Sequence, residues 1–313
     1  MIAGTKNQWM CRTAVVSLIL LLSSSWCYAD DNPAVRSADT LPDESVKLWQ
    51  ALIRQADALA LPTEFLKTIK PGFVTIEFDD LHAFAAEYHP DEHRMVLNLT
   101  LSFNMAGGTL KPLRSLPSRD LGTLYHELFH AYMDYISTLS NEGDSPAFRL
   151  LEFAKALQEC RYRHVTITPI RQRTSHTEAR VLTDRESWEA LNETWAMFIG
   201  WAIWAQLEAR GTSRDKHKKT NRAAEKGWLE RLKKADHDAD LTGYYEPEDP
   251  GERDIARKRY LAPAYRISSR EAGALLEHVL EYPKNRALRS ADVMEQVGRS
   301  SVENSSCHRP PSK

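Results

Sequence analysis

An α+β fold, mainly helical, with a small antiparallel sheet ahead of a central helix, is what the sequence predicts. Three observations carry this expectation. Apolar residues recur at helical spacing in five separate stretches, while two short runs in the first third carry β-branched and aromatic residues at strand spacing. The third is His126-Glu127-Leu128-Phe129-His130, which falls in the middle of one of the helical stretches.

The first helix is expected from about Pro42 to Ala60, with Val46, Trp49, Leu52, Ile53 and Ala56 on one face. The period then changes. Phe73 to Phe78 and Arg94 to Leu99 read as strands, with Ala83 to Tyr88 a weaker one between them and His89-Pro90-Asp91-Glu92 as the turn. Arg94 to Thr100 is the candidate edge strand, although its pattern suits an internal strand equally. The central helix has Ser118 as its expected cap, Asp120 in its first turn, and an apolar stripe of Leu121, Leu124, Leu128, Tyr132 and Tyr135. Ser145-Pro146 opens the next helix, which reaches about Arg163 with Leu150, Leu151, Phe153, Ala154 and Leu157 inward. His164 to His176 has no helical period and is expected to cross a cleft or its rim.

Thr183 followed by Glu186 is a capping box, and Trp188, Leu191, Trp195, Phe198, Ile199 and Ala202 continue a helix to about Arg210. Arg210 to Lys234 holds ten Lys or Arg against three acids and reads as a solvated loop and amphipathic helix; a patch for anionic polymers or lipid is the sharper alternative. Asp236 to Asp254 is acidic and turn-rich, and Ser269 to Tyr282 forms the last helix, packing by Ala272, Leu275, Leu276 and Leu280. The tail from Ser300 has the composition of a disordered segment.

Residues four apart on a helix lie one turn above each other, so His126 and His130 can aim imidazole nitrogens at a single ion. Zinc suits that pair, and Glu127 then lies beside the metal, where a carboxylate can take a proton from water. Catalytic zinc takes three protein ligands. Glu193 is the candidate third ligand, because an ionised carboxylate on so apolar a helix needs a partner. The bland alternative pairs Glu193 with solvent or with Arg180 or Arg185; Asp134 is a weaker ligand candidate and better read as a hydrogen-bonding partner. The metzincin pattern is absent, since no Gly and His follow His130 at the required spacing.

His126 to Tyr135 resembles the active-site helix of the gluzincin metallopeptidases, including the Asp-Tyr pair after the second His, and Asn192-Glu193 resembles that family's ligand helix. The resemblance implies a zincin-like fold and one zinc held by His126, His130 and Glu193. Glu127 would be the general base, and an edge strand would pair with an extended peptide. Two features depart from the family: 62 residues separate Ala131 from Asn192 inclusive, and Met197 stands where an Asp would usually orient a zinc-bound His. His176, Tyr244 and Tyr245 are candidate oxyanion donors from loops able to line a cleft.

Lys6 and Arg12 precede an apolar run from Thr13 to Leu22, then small residues lead to Ala29, which is the pattern of a secretory signal peptide. Its apolar core is too short for an ordinary span, and no later segment reaches about 20 apolar residues, so no transmembrane span is expected in the mature chain. The expected location is periplasmic or secreted. Cleavage near Ala29 removes two basic and no acidic residues from a chain of 313, leaving 284 residues with 39 Lys and Arg against 43 Asp and Glu. That net −4 does not suggest nucleic acid as a target. Cys11 and Cys27 leave with the signal; Cys160 and Cys307 remain as one disulfide or two free thiols.

The expected division is therefore a signal peptide (1–29), a flexible leader (30–41), a zincin-like catalytic domain (42–210), a helical C-terminal region (211–299) and a tail (300–313). The expected partner is a peptide or protein substrate, cell-wall peptide included. Two rival readings remain. One is a zincin-fold binding or assembly protein of the cell envelope with little or no turnover, suggested by Met197; the other is a helical protein in which HExxH is coincidence.

Overall fold

The computed structural model describes residues 41–82, 84–104, 108–139, 145–168, 177–211, 221–238 and 240–281. The expected signal peptide, all of the leader before Leu41, Ala83, His176, Tyr282, Cys307 and the tail lie outside the described residues.

The chain begins with α1 (Leu41–Ala58) and a short α2 (Glu64–Thr68). It then forms β1 (Thr75–Asp79), β2 (Ala86–His89) and β3 (Arg94–Asn98). Between β2 and β3, Pro90–Glu92 make one 3-10 turn, and His93 takes a left-handed φ of 47° to reverse the chain. The α+β class holds, but this sheet is mixed, not wholly antiparallel. Its order is β1-β3-β2, with β1 parallel to β3 and β2 antiparallel to it. The Arg94 strand is therefore central and not an edge. The reason is its burial: Met95, Val96, Leu97 and Asn98 are all covered, which suits a strand flanked on both sides. The edge next to the central helix is β2, with alternating burial.

That central helix, α3, spans Ser118–Ser137. Pro117 occupies its N-cap position without a side-chain cap, so Ser118 does not cap it; the proline holds the extended entry and pushes Ser118 into the first turn. In α4 (Pro146–Leu157) the expected cap forms, Ser145 accepting from the Phe148 amide. A π-helical turn at Gln158–Tyr162 follows and swings Arg161 and Tyr162 into the core. Cys160 in that turn is disulfide-bonded; the expected partner Cys307 lies outside the described residues.

The cleft-crossing segment begins as a strand. β4 (His164–Ile167) pairs antiparallel with β5 (Glu178–Val181). Helix α5 (Asp184–Gly211) starts with the predicted capping box, Thr183 Oγ1 accepting from Glu186 N at 3.1 Å while Glu186 accepts from Thr183 N at 3.0 Å. The basic stretch supplies α6 (Asn221–His237), packed on α5. The turn-rich segment holds β6 (Tyr244–Tyr245), α7 (Pro250–Ile255) and β7 (Arg259–Tyr260); β6 and β7 pair as a hairpin. Last comes α8 (Ser269–His278), with Ser268 and Glu271 as its capping box.

Two features fix α5 in place. First, α3 and α5 cross backbone to backbone: a Cβ added at Gly200 would lie 2.8 Å from the Gly122 carbonyl oxygen and 3.3 Å from His126 Cβ. Only glycine permits that approach. Second, Glu271 of α8 is fully buried and accepts from Tyr162 Oη at 2.7 Å, Trp195 Nε1 at 3.0 Å and Ser268 N at 2.8 Å. Burial pushes its carboxyl up, but Arg161 and these donors hold it below the ordinary value, so it stays an anion tying three helices together.

Gly200→Ala is expected to lower stability by about 1–3 kcal/mol, the usual cost of overpacking a tight contact, seen as an earlier urea midpoint. An unchanged midpoint would mean the crossing is not tight in solution.

Candidate metal centre

Helix geometry and the glycine crossing together bring His126, His130 and Glu193 to one point. The helices run in opposite directions, because residues 122 to 130 of α3 meet residues 200 to 193 of α5 in reverse order. One turn beyond Gly122 is His126 and a second turn on is His130, while Glu193 lies two turns before Gly200. The Nε2 atoms of His126 and His130 are 3.0 Å apart, their rings edge to face. Glu193 Oε2 is 3.4 Å from His126 Nε2, and Oε1 is 3.4 Å from His130 Nε2. One potential ligand atom from each residue lies within 4.8 Å of the others, and no further such group of His, Cys, Asp or Glu occurs among the described residues.

Two imidazole nitrogens aimed at each other make at most one mutual hydrogen bond, and Glu193 Oε2 is buried with no hydrogen bond of good geometry despite the nearby ring. Such an arrangement is costly without a shared cation, and the donor set, two imidazoles and one carboxylate, is one that zinc accepts. The residues present fit the metal. Arg180, an alternative partner for Glu193, instead pairs with Glu178 and Glu252.

Neighbouring charges and burial set the protonation pattern of the three groups. Burial raises the Glu193 carboxyl, but His130, His126 and Tyr244 pull it down to about 2. His126 is drawn down by burial yet ends above its ordinary value because Glu193 and Glu127 favour its charged form. Burial dominates at His130, which falls to about 4 although Glu193 and the Asn192 amide oppose the shift. The Asn192 carbonyl oxygen lies buried against His130 without a donor in good geometry. Around the metal position the protein thus holds one imidazole neutral and one carboxylate ionised.

Glu127 stands beside this group, its carboxylate 3.9 Å from His126 Nε2. Burial lifts its carboxyl to about 7, against the opposing pull of His126. Its Oε2 accepts the backbone N–H of Tyr88 at 2.9 Å. Tyr88 spans two points of α3, because its hydroxyl donates to Asp134 at 2.5 Å, and His93 Nδ1 meets the same carboxylate oxygen at 2.7 Å. Asp134 is therefore a hydrogen-bonding partner that latches the sheet edge to the helix, outside the ligand group.

Of the three candidate oxyanion donors, Tyr244 reaches the site, Tyr245 does not, and His176 lies outside the described residues. Tyr244 hydrogen-bonds Glu193, and burial and the carboxylates of Glu193, Glu127 and Glu189 push its hydroxyl far up, so it remains a donor. Tyr245 is buried on the other side of the strand, near Glu186 and Arg259, as alternation along β6 requires. Gly243 sets the hairpin against α5: a Cβ there would lie 2.3 Å from Thr194 Oγ1, the residue after Glu193.

Two further residues stand at the site beyond the candidates the sequence offers. Lys258 lies before β7, and its Nζ donates to Tyr244 Oη at 2.7 Å and sits 3.9 Å over the tyrosine ring. No local pattern marks it, since the hairpin alone brings it over the site. Glu189 does have a signal, being four residues before Glu193 on the same helix face. Burial lifts its carboxyl from 4.5 to about 7, with Glu193 and Glu246 adding to the rise and the Glu246 amide and Arg185 opposing it. Met197, one turn beyond Glu193, is partly exposed, and no carboxylate among the described residues bonds His126 Nδ1.

A carboxyl whose folded value lies above its unfolded value costs stability progressively as pH rises from about 4.5 to about 7, with the full cost present above about 7 and none well below 4.5. In chelator-treated protein, Glu189→Gln should therefore be more stable than wild type at pH 8, by on the order of 1–2 kcal/mol after allowing for solvent contact, with the difference fading towards pH 5. A gain equal at both pH values would contradict this account of Glu189.

Compared with protein-family models, with curated proteins and with solved structures, the chain has no match, so its site is interpreted from its own geometry.

Proposed function

We propose that this chain is a zinc-dependent peptidase that hydrolyses peptide bonds with water, in a zincin-like arrangement, after export from the cytoplasm. The observation that carries the reading is the convergence of His126 Nε2, His130 Nε2 and a buried Glu193 oxygen without a hydrogen bond of good geometry, beside a carboxyl poised near neutrality. The last of these, Glu127, is the feature a purely structural metal site does not need.

His126, His130 and Glu193 would hold the zinc. When bound, zinc supplies Lewis acidity, lowering the pKa of water towards neutrality and polarising a carbonyl. Glu127, titrating at about 7, takes a proton from the attacking water at its carboxylate and passes it to the departing amine. The Tyr88 N–H orients that carboxylate from the strand edge. The same edge is suited to pairing with an extended peptide, since β2 has a partner strand on one side only. Lys258, whose ammonium keeps further donors after bonding Tyr244, would steady negative charge developing on the carbonyl oxygen, with Tyr244, its one hydroxyl proton directed to Glu193, positioning that ammonium.

A second reading, a metal-holding binding or assembly protein of the cell envelope, is favoured by Met197 and by the absence, among the described residues, of a carboxylate at His126 Nδ1. Elemental mass spectrometry on protein purified without chelator separates the possibilities. About one zinc per chain is expected, sharply reduced in Glu193→Ala; no metal in wild type would remove the peptidase reading altogether.

Glu127→Gln should retain zinc yet lose hydrolysis of unfolded protein substrates by about 10²–10⁴-fold. Full activity in that variant would refute the base assignment, and zinc without any hydrolysis in wild type would favour the binding protein.

A further inference from the structure

Glu189 is a partly buried carboxylate that the chemistry above leaves unused. Its Oε1 accepts the Glu246 N–H at 3.1 Å, which fixes the plane of the group. Its Oε2 makes no hydrogen bond with the described residues and is not sealed from solvent. No cation lies within ion-pair distance; the Arg185 side chain, on the exposed first turn of α5, acts only from further away. Glu193, Glu246 and Tyr244 surround it, so the group is oriented, partly dehydrated and left without a counter-ion beside the metal position.

The neighbouring Glu186 shows what a purely structural carboxylate looks like here. Its Oε1 accepts from Glu248 N at 2.9 Å and its Oε2 from Thr183 N at 3.0 Å, so both oxygens are satisfied. Glu189 holds the same hairpin with one oxygen, a task a neutral amide would perform without the repulsion from Glu193. The charge is what remains unexplained.

We infer that Glu189 recognises a cationic nitrogen of the substrate, either the free α-ammonium at a peptide's amino terminus or a Lys or Arg side chain next to the scissile bond. The inference rests on the peptidase reading and narrows it to a substrate class. Four residues of α5 separate Glu189 from Glu193, about 6 Å along the axis, which about two residues of extended peptide span. A cation there would make a charge-assisted hydrogen bond with Oε2 and offset the repulsion between Glu189 and Glu193.

The test uses the zinc-loaded full-length mature chain and three synthetic peptide pools of matched length. One has free amino termini, one is N-acetylated, and one is N-acetylated with every Lys and Arg replaced by norleucine. Cleavage is followed by mass spectrometry as kcat/KM. Wild type is expected to favour a pool offering a cationic nitrogen by about tenfold or more, and Glu189→Gln, which keeps the acceptor for Glu246 N–H, should collapse that preference mainly through KM. Preference for free termini over acetylated ones identifies the α-ammonium; preference for the acetylated pool over the norleucine pool identifies the side chain. Glu189→Asp, which retains the charge, should keep part of the preference and serves if the Gln variant folds poorly. Equal cleavage of all pools by wild type, or a preference retained by Glu189→Gln, overturns the inference while leaving the peptidase reading intact. Cleavage of no pool by zinc-loaded wild type overturns both.

Discussion

The contact on which the rest depends is the crossing of α3 and α5 at Gly122 and Gly200, where a Cβ on the first would lie 2.9 Å, and on the second 2.8 Å, from the other's carbonyl oxygen. Once that point is fixed, helical rise and pitch determine where every other residue of the two helices falls. The two histidines and the carboxylate meet because they are whole turns away from it. Both neighbours of Glu193 on its C-terminal side are then held independently: Gly243 of the hairpin presses on Thr194, and Glu271 of α8 accepts from Trp195. Rotation of α5 about its axis would break both contacts, so the Glu193 carboxylate is aimed by residues other than itself.

The same arrangement explains the electrostatics. Titratable groups brought together by packing cannot all keep their solution charges, and they settle into a pattern set by distance and burial. Glu193, between two imidazoles, stays ionised; His130, deeper in the balance of burial against charge, stays neutral; Glu127, with only one weak partner and a backbone amide, is lifted to neutrality. The carboxylates of Glu127, Glu189 and Glu193 differ less in chemistry than in what each one faces.

Much of this was legible in the sequence where the determining interactions are local. The HExxH spacing, the Thr183 and Ser145 caps and the apolar faces of α4, α5 and α8 are set within a few residues, and they appear as read. Glu193 was legible because a charge on an apolar helix needs an explanation. Strand pairing was not. The pattern of Arg94 to Asn98 shows which residues are covered, but it does not say which strands cover them, and its neighbours turned out to be one parallel and one antiparallel. At Ser118 the local rule lost to Pro117, whose ring already dictates how the chain enters the helix. Lys258 and the placing of Tyr244 over the site depend on a hairpin docking against a helix far earlier in the chain, Gly243 against Thr194, which no short window of sequence contains.

The glycine crossing also has a bearing on how occupancy of the site is felt elsewhere. The candidate ligands come from two helices that meet in the core and are joined by a long excursion through α4, β4 and β5. An ion gripped by both helices would act as a removable cross-link across that excursion, tightening the folded chain. Resistance to digestion by an unrelated protease then becomes a gauge of metal loading for the whole molecule, because the strands and helices between the ligands are held shut or allowed to open by what sits at their two ends.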